Sequence, residues 1–118
     1  MNAIILVGLG GAAGSILRYL CQRSLNSFIF PYGTLLVNIA GCFIIGLLWS
    51  WLAKGNVSET NRLFWMSGFC GGFTTFSTFT YEGVQMLIEN RWFVFALYTT
   101  LSIVLGLLAT YLGYKITS

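Results

Sequence analysis

Four apolar runs fill almost the whole chain, at about 3–20, 34–52, 63–88 and 92–114, and the segments between them are short. As a helix rising about 1.5 Å per residue, each run can cross a hydrocarbon core about 30 Å thick. Only 8% of the 118 residues are charged, against about 25% in an ordinary soluble domain. With 57% hydrophobic residues and a mean hydropathy of +0.81, the chain cannot cover itself in polar surface. Closed β-barrels also satisfy the backbone in lipid, but their strands alternate apolar and polar residues. Runs such as Ile44-Ile45-Gly46-Leu47-Leu48 do not alternate. An all-α membrane protein of four transmembrane helices is expected, one domain over 1–118, multi-pass in the cell membrane. Trp49, Trp51, Trp65, Trp92, Tyr111 and Tyr114 fall near run ends, where amphipathic rings prefer the interface. The first run reads as a span and not as a cleaved leader, because no soluble domain follows it.

Composition also removes most enzymology. The chain has no histidine and no aspartate, and its side-chain carboxylates are Glu59, Glu82 and Glu89. A Ser-His-Asp triad, a carboxylate-histidine zinc site and an aspartyl phosphate are therefore out of reach. Cys21, Cys42 and Cys70 form no Cys-x-x-Cys and read as small buried hydrophobes. A net charge of +3 spread over loops makes no nucleic-acid patch. No phosphate-binding loop or other energy-coupling motif is present.

The charges bear on orientation. Four spans put both termini on one side, with Lys54, Arg62 and Lys115, and leave Arg18, Arg23 and Arg91 on the other. The positive-inside rule needs a Lys/Arg bias, and three against three supplies none. Two readings stand: a short chain with few charges whose topology another signal sets, or a chain that inserts both ways and assembles as an antiparallel pair. Gly10, Gly14 and Arg18 recur at four-residue spacing, as do Gly68 and Gly72. Small residues so spaced let helix backbones approach closely in lipid.

Polar residues inside spans are costly and so informative. Asn38 lies about one turn inside the second run, in Gly33-Thr34-Leu35-Leu36-Val37-Asn38-Ile39-Ala40-Gly41. It either glues two helices or presents a donor to an anion. The third run carries Gly71-Gly72-Phe73-Thr74-Thr75-Phe76-Ser77-Thr78-Phe79-Thr80, where two glycines precede five hydroxyl residues in seven positions. That is a poor helix, and it falls where the bilayer midplane should be. Broken helices are tolerated at that depth when buried in protein or lining a polar cavity. A break frees carbonyls for a cation and N–H groups for an anion. Phe76 and Phe79 then share a face at i, i+3, beside Ser77 and Thr78; such a pair is ordinarily packing, and the break makes it a candidate. Glu82 reads as an interfacial carboxylate reaching water, or as a partner for Arg18 or a backbone donor.

These residues resemble the Fluc/CrcB family of bacterial fluoride channels. The likeness covers essentially the whole chain, through Gly10-xxx-Gly14-xxx-Arg18-Tyr19, Gly33-Thr34-Leu35-Leu36-Val37-Asn38-xx-Gly41 and Gly71-Gly72-Phe73-Thr74-Thr75-Phe76-Ser77-Thr78-Phe79. It implies an antiparallel dual-topology dimer with two fluoride pathways and a central structural sodium ion. The Gly71 and Thr74 carbonyls of both subunits would hold the sodium. Asn38 would donate to fluoride, and Phe76 and Phe79 would offer ring edges. Ser77, Thr78 and Arg18 would assist, Arg18 near an entrance. The family places hydroxyl residues a turn apart on the fourth span; here Tyr98, Thr99, Ser102 and Thr110 are available, but Gly106 follows Ser102 by four residues. The implied partner is fluoride, with a homodimer or a heterodimer of similar subunits.

The nearest rival is a proton-coupled exporter of the small multidrug resistance type, which also has four short spans and dual topology. It needs a carboxylate inside the first span, and that span has no acid. A non-transporting scaffold leaves the midplane hydroxyls and the charge balance unexplained. The expectation is a passive, fluoride-selective channel.

Overall fold

The side-chain carbonyl of Asn2 accepts the Ile4 N–H at 2.7 Å and so caps the first helix, α1 at Ala3–Leu25, by satisfying one of its orphan donors. The computed structural model, which describes residues 2–118, is all-helical. After a tight loop closed at Pro31, α2 runs Tyr32–Ala53. Gly55, at a φ of 75° that favours glycine, turns the chain toward Ser58. The Ser58 hydroxyl accepts the Asn61 N–H at 3.2 Å and caps α3, Glu59–Asn61. α3 continues directly into a π-helix at Arg62–Cys70 and α4 at Gly71–Phe73. Two extended residues intervene before α5, Phe76–Ile88. A turn through Asn90, with φ of 59°, leads into α6, Trp92–Thr117.

Three helices, α1, α2 and α6, are long and apolar enough to cross a membrane. The third expected span is instead two rods, 59–73 and Phe76–Ile88, each too short to do so by length alone. Helix ends also differ from the sequence expectation. α1 continues through Leu25 where an end near Leu20 was expected, and α6 reaches Thr117. Charged residues do not stop a helix whose polar heads find partners. Arg18 bonds a carbonyl across the bundle, and Lys54 Nζ reaches the Thr117 carbonyl at 2.5 Å.

Backbone proximity holds the rods together. A Cβ on Gly14 would lie 2.2 Å from the Phe69 carbonyl oxygen, and one on Gly10 2.3 Å from that of Phe64. α1 and the π-helix therefore touch main chain to main chain. The α2–α6 seam repeats this at Gly46 and Gly113, whose Cβ atoms would fall 2.1 Å from the Thr110 oxygen and 2.3 Å from the Phe43 oxygen. Thr110 Oγ1 and Thr117 Oγ1 donate across the same seam to the Cys42 and Leu47 carbonyls at 3.0 and 3.1 Å. Close approach and interhelical hydrogen bonds drive association where lipid removes the hydrophobic incentive. Outside, Ile4, Ile16, Phe93 and Leu107 are more than half exposed, an apolar coat that suits lipid and not water.

The loops pair at two ends. Arg91 donates to the Ile29 carbonyl, joining the α1–α2 loop to the α5–α6 turn. Lys54 and Thr117 join the C-terminal ends of α2 and α6. Arg91 and Lys54 thus lie at opposite ends of the bundle.

Candidate functional site

The break between α4 and α5 follows from local competition for the backbone. Gly71 and Gly72 favour helix weakly, and Thr74 and Thr75 carry hydroxyls that bond the main chain nearby. Thr74 Oγ1 donates to the Cys70 carbonyl at 2.9 Å, while Thr75 Oγ1 accepts the Thr78 N–H at 3.1 Å and caps α5. Thr74 and Thr75 are consequently extended, at φ/ψ of −92°/158° and −151°/120°.

Asn38 holds the break open from α2. Its Oδ1 accepts the Thr75 N–H at 2.8 Å, and its Nδ2 donates to the Thr75 carbonyl at 3.1 Å. One turn on, Gly41 has no side chain where the Thr74 methyl sits; a Cβ there would be 2.1 Å from it. Asn-x-x-Gly on α2 is therefore a receptor for the extended pair. A primary amide has two N–H donors and one carbonyl, so this clasp leaves Asn38 one N–H unspent. The clasp is the glue of the first reading, and the remaining N–H leaves the second, a donor to an anion, open to the same side chain.

Two carbonyls lose their helical donors in the same exchange. Thr75 N–H would bond Gly71 O in an unbroken helix, and Thr78 N–H would bond Thr74 O. Both are taken, by Asn38 Oδ1 and Thr75 Oγ1. Gly72 O is satisfied differently, by Arg18 Nε at 2.9 Å. A cation at a rod's C-terminal carbonyls is favourable. Arg18 thus lies against the break, its guanidinium drawn to a carbonyl left without a helical donor.

Beside the break is a cavity of about 340 Å³, whose walls include Asn38, Cys42, Phe76, Phe79, Ser102 and Thr110. No described residue lining it is charged. The structure therefore gathers four sequence candidates, Asn38, Phe76, Phe79 and Ser102, around one space. Phe76 and Phe79 have ring centroids 5.9 Å apart. Phe79 packs on Tyr98 at 5.2 Å, whereas Phe76 is 77% exposed and makes no core contact. The Ser102 Oγ is buried and, among the described residues, has no hydrogen-bond partner. Ser77 and Thr78 do not line the cavity; their hydroxyls gather on Thr75 Oγ1 at 3.3 and 3.2 Å. Gly71 and Thr74 lie at the break itself, Gly71 exposed with open space around its Cα.

Glu82 makes no bond to Arg18; half-buried, it lines a small pocket beneath the α1–α2 loop with Asn26 and Arg91. It accepts from Tyr98 Oη at 2.8 Å, Thr34 Oγ1 at 3.0 Å and Asn26 Nδ2 at 3.2 Å. Tyr98 and Thr34 are fully buried. Gln22 Nε2 donates to Thr34 Oγ1 at 3.0 Å, and Gln22 Oε1 accepts from Arg18 at 3.4 Å. A continuous chain of hydrogen bonds therefore runs from the Gly72 carbonyl through Arg18, Gln22 and Thr34 to Glu82 and Tyr98. The sequence reading missed Gln22 and Asn26, and gave Thr34 and Tyr98 no part in holding Glu82. One signal was available: an acid six residues inside α5 needs donors, and Asn26 and Thr34 flank the α1–α2 loop. Tyr98→Phe removes one donor from this half-buried carboxylate and leaves the ring in place. Stability should fall by about 1–3 kcal/mol, read as a lower unfolding midpoint in detergent, and an unchanged midpoint would refute the network's weight.

Comparison with known proteins agrees with this arrangement of motifs. Residues 5–114 match the family described as CrcB-like protein, Camphor Resistance (CrcB). A protein from Flavobacterium psychrophilum named fluoride-specific ion channel FluC is 45% identical over 117 residues, covering 96% of this chain and 94% of its own. Proteins of the same name from Bacteroides fragilis and Campylobacter jejuni are each 43% identical, covering 94% and 98% of their own lengths. With the match extending from the first turns of α1 to the last turn of α6, the chain belongs to the CrcB-like family of multi-pass membrane proteins.

Proposed function

We propose that this protein is a fluoride-specific ion channel that passively carries fluoride out of the cell, as an antiparallel dual-topology homodimer around a structural sodium ion. The Asn38–Thr75 clasp carries the reading. It fixes an interrupted helix beside an uncharged cavity and leaves one N–H of a cavity-lining amide unspent. The shared name of the relatives supports the same ion.

Fluoride is small and strongly hydrated, so a pore must replace its water with donors at close quarters while letting it leave. The spare Asn38 N–H, the orphan Ser102 hydroxyl and the positive ring edges of Phe76 and Phe79 offer such donors. The N-terminus of α5, with N–H groups free in its first turn, adds positive potential. A fixed cation in the cavity would hold the anion too firmly, and none lines it among the described residues. Hydrogen fluoride crosses the membrane and ionises inside; the membrane potential then drives the anion outward.

The Gly71 and Thr74 carbonyls suit a hard cation, because the break has stripped both of their helical donors. Bound there, sodium would tie down the exposed carbonyls and add positive potential to the centre. Two carbonyls from one chain are well short of the about six oxygens a hard cation takes, which supports a second copy supplying two more. The three-against-three count of basic residues and the exposed Phe76 and Gly71 favour an antiparallel partner and a break at mid-membrane.

The test is fluoride efflux from liposomes holding only this purified chain, with chloride-loaded vesicles as control. Fast fluoride efflux with negligible chloride efflux is expected. No efflux from folded protein would reject the homodimer, and recovery with a co-expressed similar subunit would replace it by a heterodimer. In the same assay Phe76→Ile should slow fluoride without unfolding the bundle, because within one chain the ring is 77% exposed; elution at the wild-type volume is the check. A proton-coupled exporter is disfavoured, since α1 has no acid and Glu82 is engaged by three donors.

A further inference from the structure

Ser102, Gly106 and Thr110 recur at four-residue spacing on α6, one face of a helix. Ser102 and Thr110 line the cavity, and between them Gly106 offers no side chain. The atom facing that gap is a sulfur: a Cβ built on Gly106 would meet only Cys42 Sγ, at 3.5 Å. Cys42 stands one turn beyond Asn38 on α2 and lines the same cavity. Its backbone is pinned there by Thr110 Oγ1, which donates to the Cys42 carbonyl at 3.0 Å. Its thiol is free and half-buried, while Cys70 is only 2% exposed.

We propose that Cys42 lines the ion path and supplies the polar group that Gly106 lacks, so that Asn38, Ser102, Cys42 and Thr110 form one row along the α2–α6 seam. This rests on the channel reading above. A thiol is a weaker donor than a hydroxyl, so this level of the row binds the ion shallowly, which favours passage over retention. Cys42 is also a modification site within the path. With methyl methanethiosulfonate, the Cys42 thiolate attacks the sulfenyl sulfur, an S–S bond forms to the methylthio group, and methanesulfinate leaves with the electron pair.

The experiment measures fluoride efflux from liposomes before and after that reagent, with intact-mass analysis counting the methylthio groups. Modification at Cys42 should slow efflux about tenfold or more, because it removes a donor and fills space the ion needs; dithiothreitol should restore the rate. Cys21→Ser protein should slow to the same degree. Cys42→Ser protein should show the same rate with and without reagent, whatever that rate is. Cys42→Ala should slow efflux several-fold, and adding Gly106→Ser should restore it, since the new Cβ has room. Unchanged efflux from protein fully modified at Cys42, or equal slowing of Cys42→Ser, overturns the proposal and leaves the channel reading intact. No efflux from untreated protein overturns the channel reading, and this one with it.

Discussion

Asn38→Asp is expected to cut fluoride efflux on the order of a hundredfold or more. Two effects act together. The carboxylate keeps an oxygen for the Thr75 N–H, 2.8 Å away, but sets its second oxygen 3.1 Å from the Thr75 carbonyl, where Nδ2 donates now. Acceptor then faces acceptor and the clasp loosens. The added charge also repels the anion: at about 4 Å and an effective dielectric of about 20, like charges interact by about 4 kcal/mol, and each 1.4 kcal/mol is about tenfold. The measurement is efflux from reconstituted vesicles, with size-exclusion behaviour as the check on folding. Wild-type efflux from the variant would remove Asn38 from the ion path.

Gly14→Ala produces the largest structural effect. The new Cβ would lie 2.2 Å from the Phe69 oxygen and 2.8 Å from the Phe73 nitrogen. Both are main-chain atoms, which no rotamer change can move. Overpacking typically costs about 1–3 kcal/mol and occasionally more; two rigid backbones in contact put this case at the upper end. α1 must also part from the rod whose end Arg18 holds at the Gly72 carbonyl, so the break loses a support. The expected outcome is little monodisperse protein and a sharply lower unfolding midpoint. Gly8→Ala is the matched control, because nothing lies within 4 Å of its Cβ and alanine favours helix over glycine. Equal behaviour of the two variants would refute the close-contact account.

Much of the site was legible along the chain because its determinants are local. Two glycines followed by hydroxyl residues disfavour helix wherever they occur, and the backbone does leave the helix at Thr74 and Thr75. Asn38 stood out because an amide inside an apolar run needs partners. The membrane-spanning character of α1, α2 and α6 followed from the length of apolar sequence, which is a one-dimensional property. The partners of Glu82 were missed because they come from three separate elements: Asn26 from the α1–α2 loop, Thr34 from α2 and Tyr98 from α6. No spacing rule encodes a contact between residues 16 to 56 positions apart. The Arg18 acceptor is illegible along the chain for the same reason, since it is 54 residues away.

The sequence by itself determined the solvent of this protein, its helical class and the weak point in its third rod. Apolar run length, glycine and hydroxyl content act within a few residues and need no knowledge of what lies opposite. Only the tertiary structure decided which donors face which carbonyls. The Asn38 clasp, the Gly71 carbonyl it frees of its helical donor, the Arg18-to-Tyr98 hydrogen-bond chain and the Cys42–Gly106 apposition all depend on how α2 lies against its neighbours. That placement is set by glycine contacts of main chain on main chain, where a single methyl group more or less changes which atoms can meet.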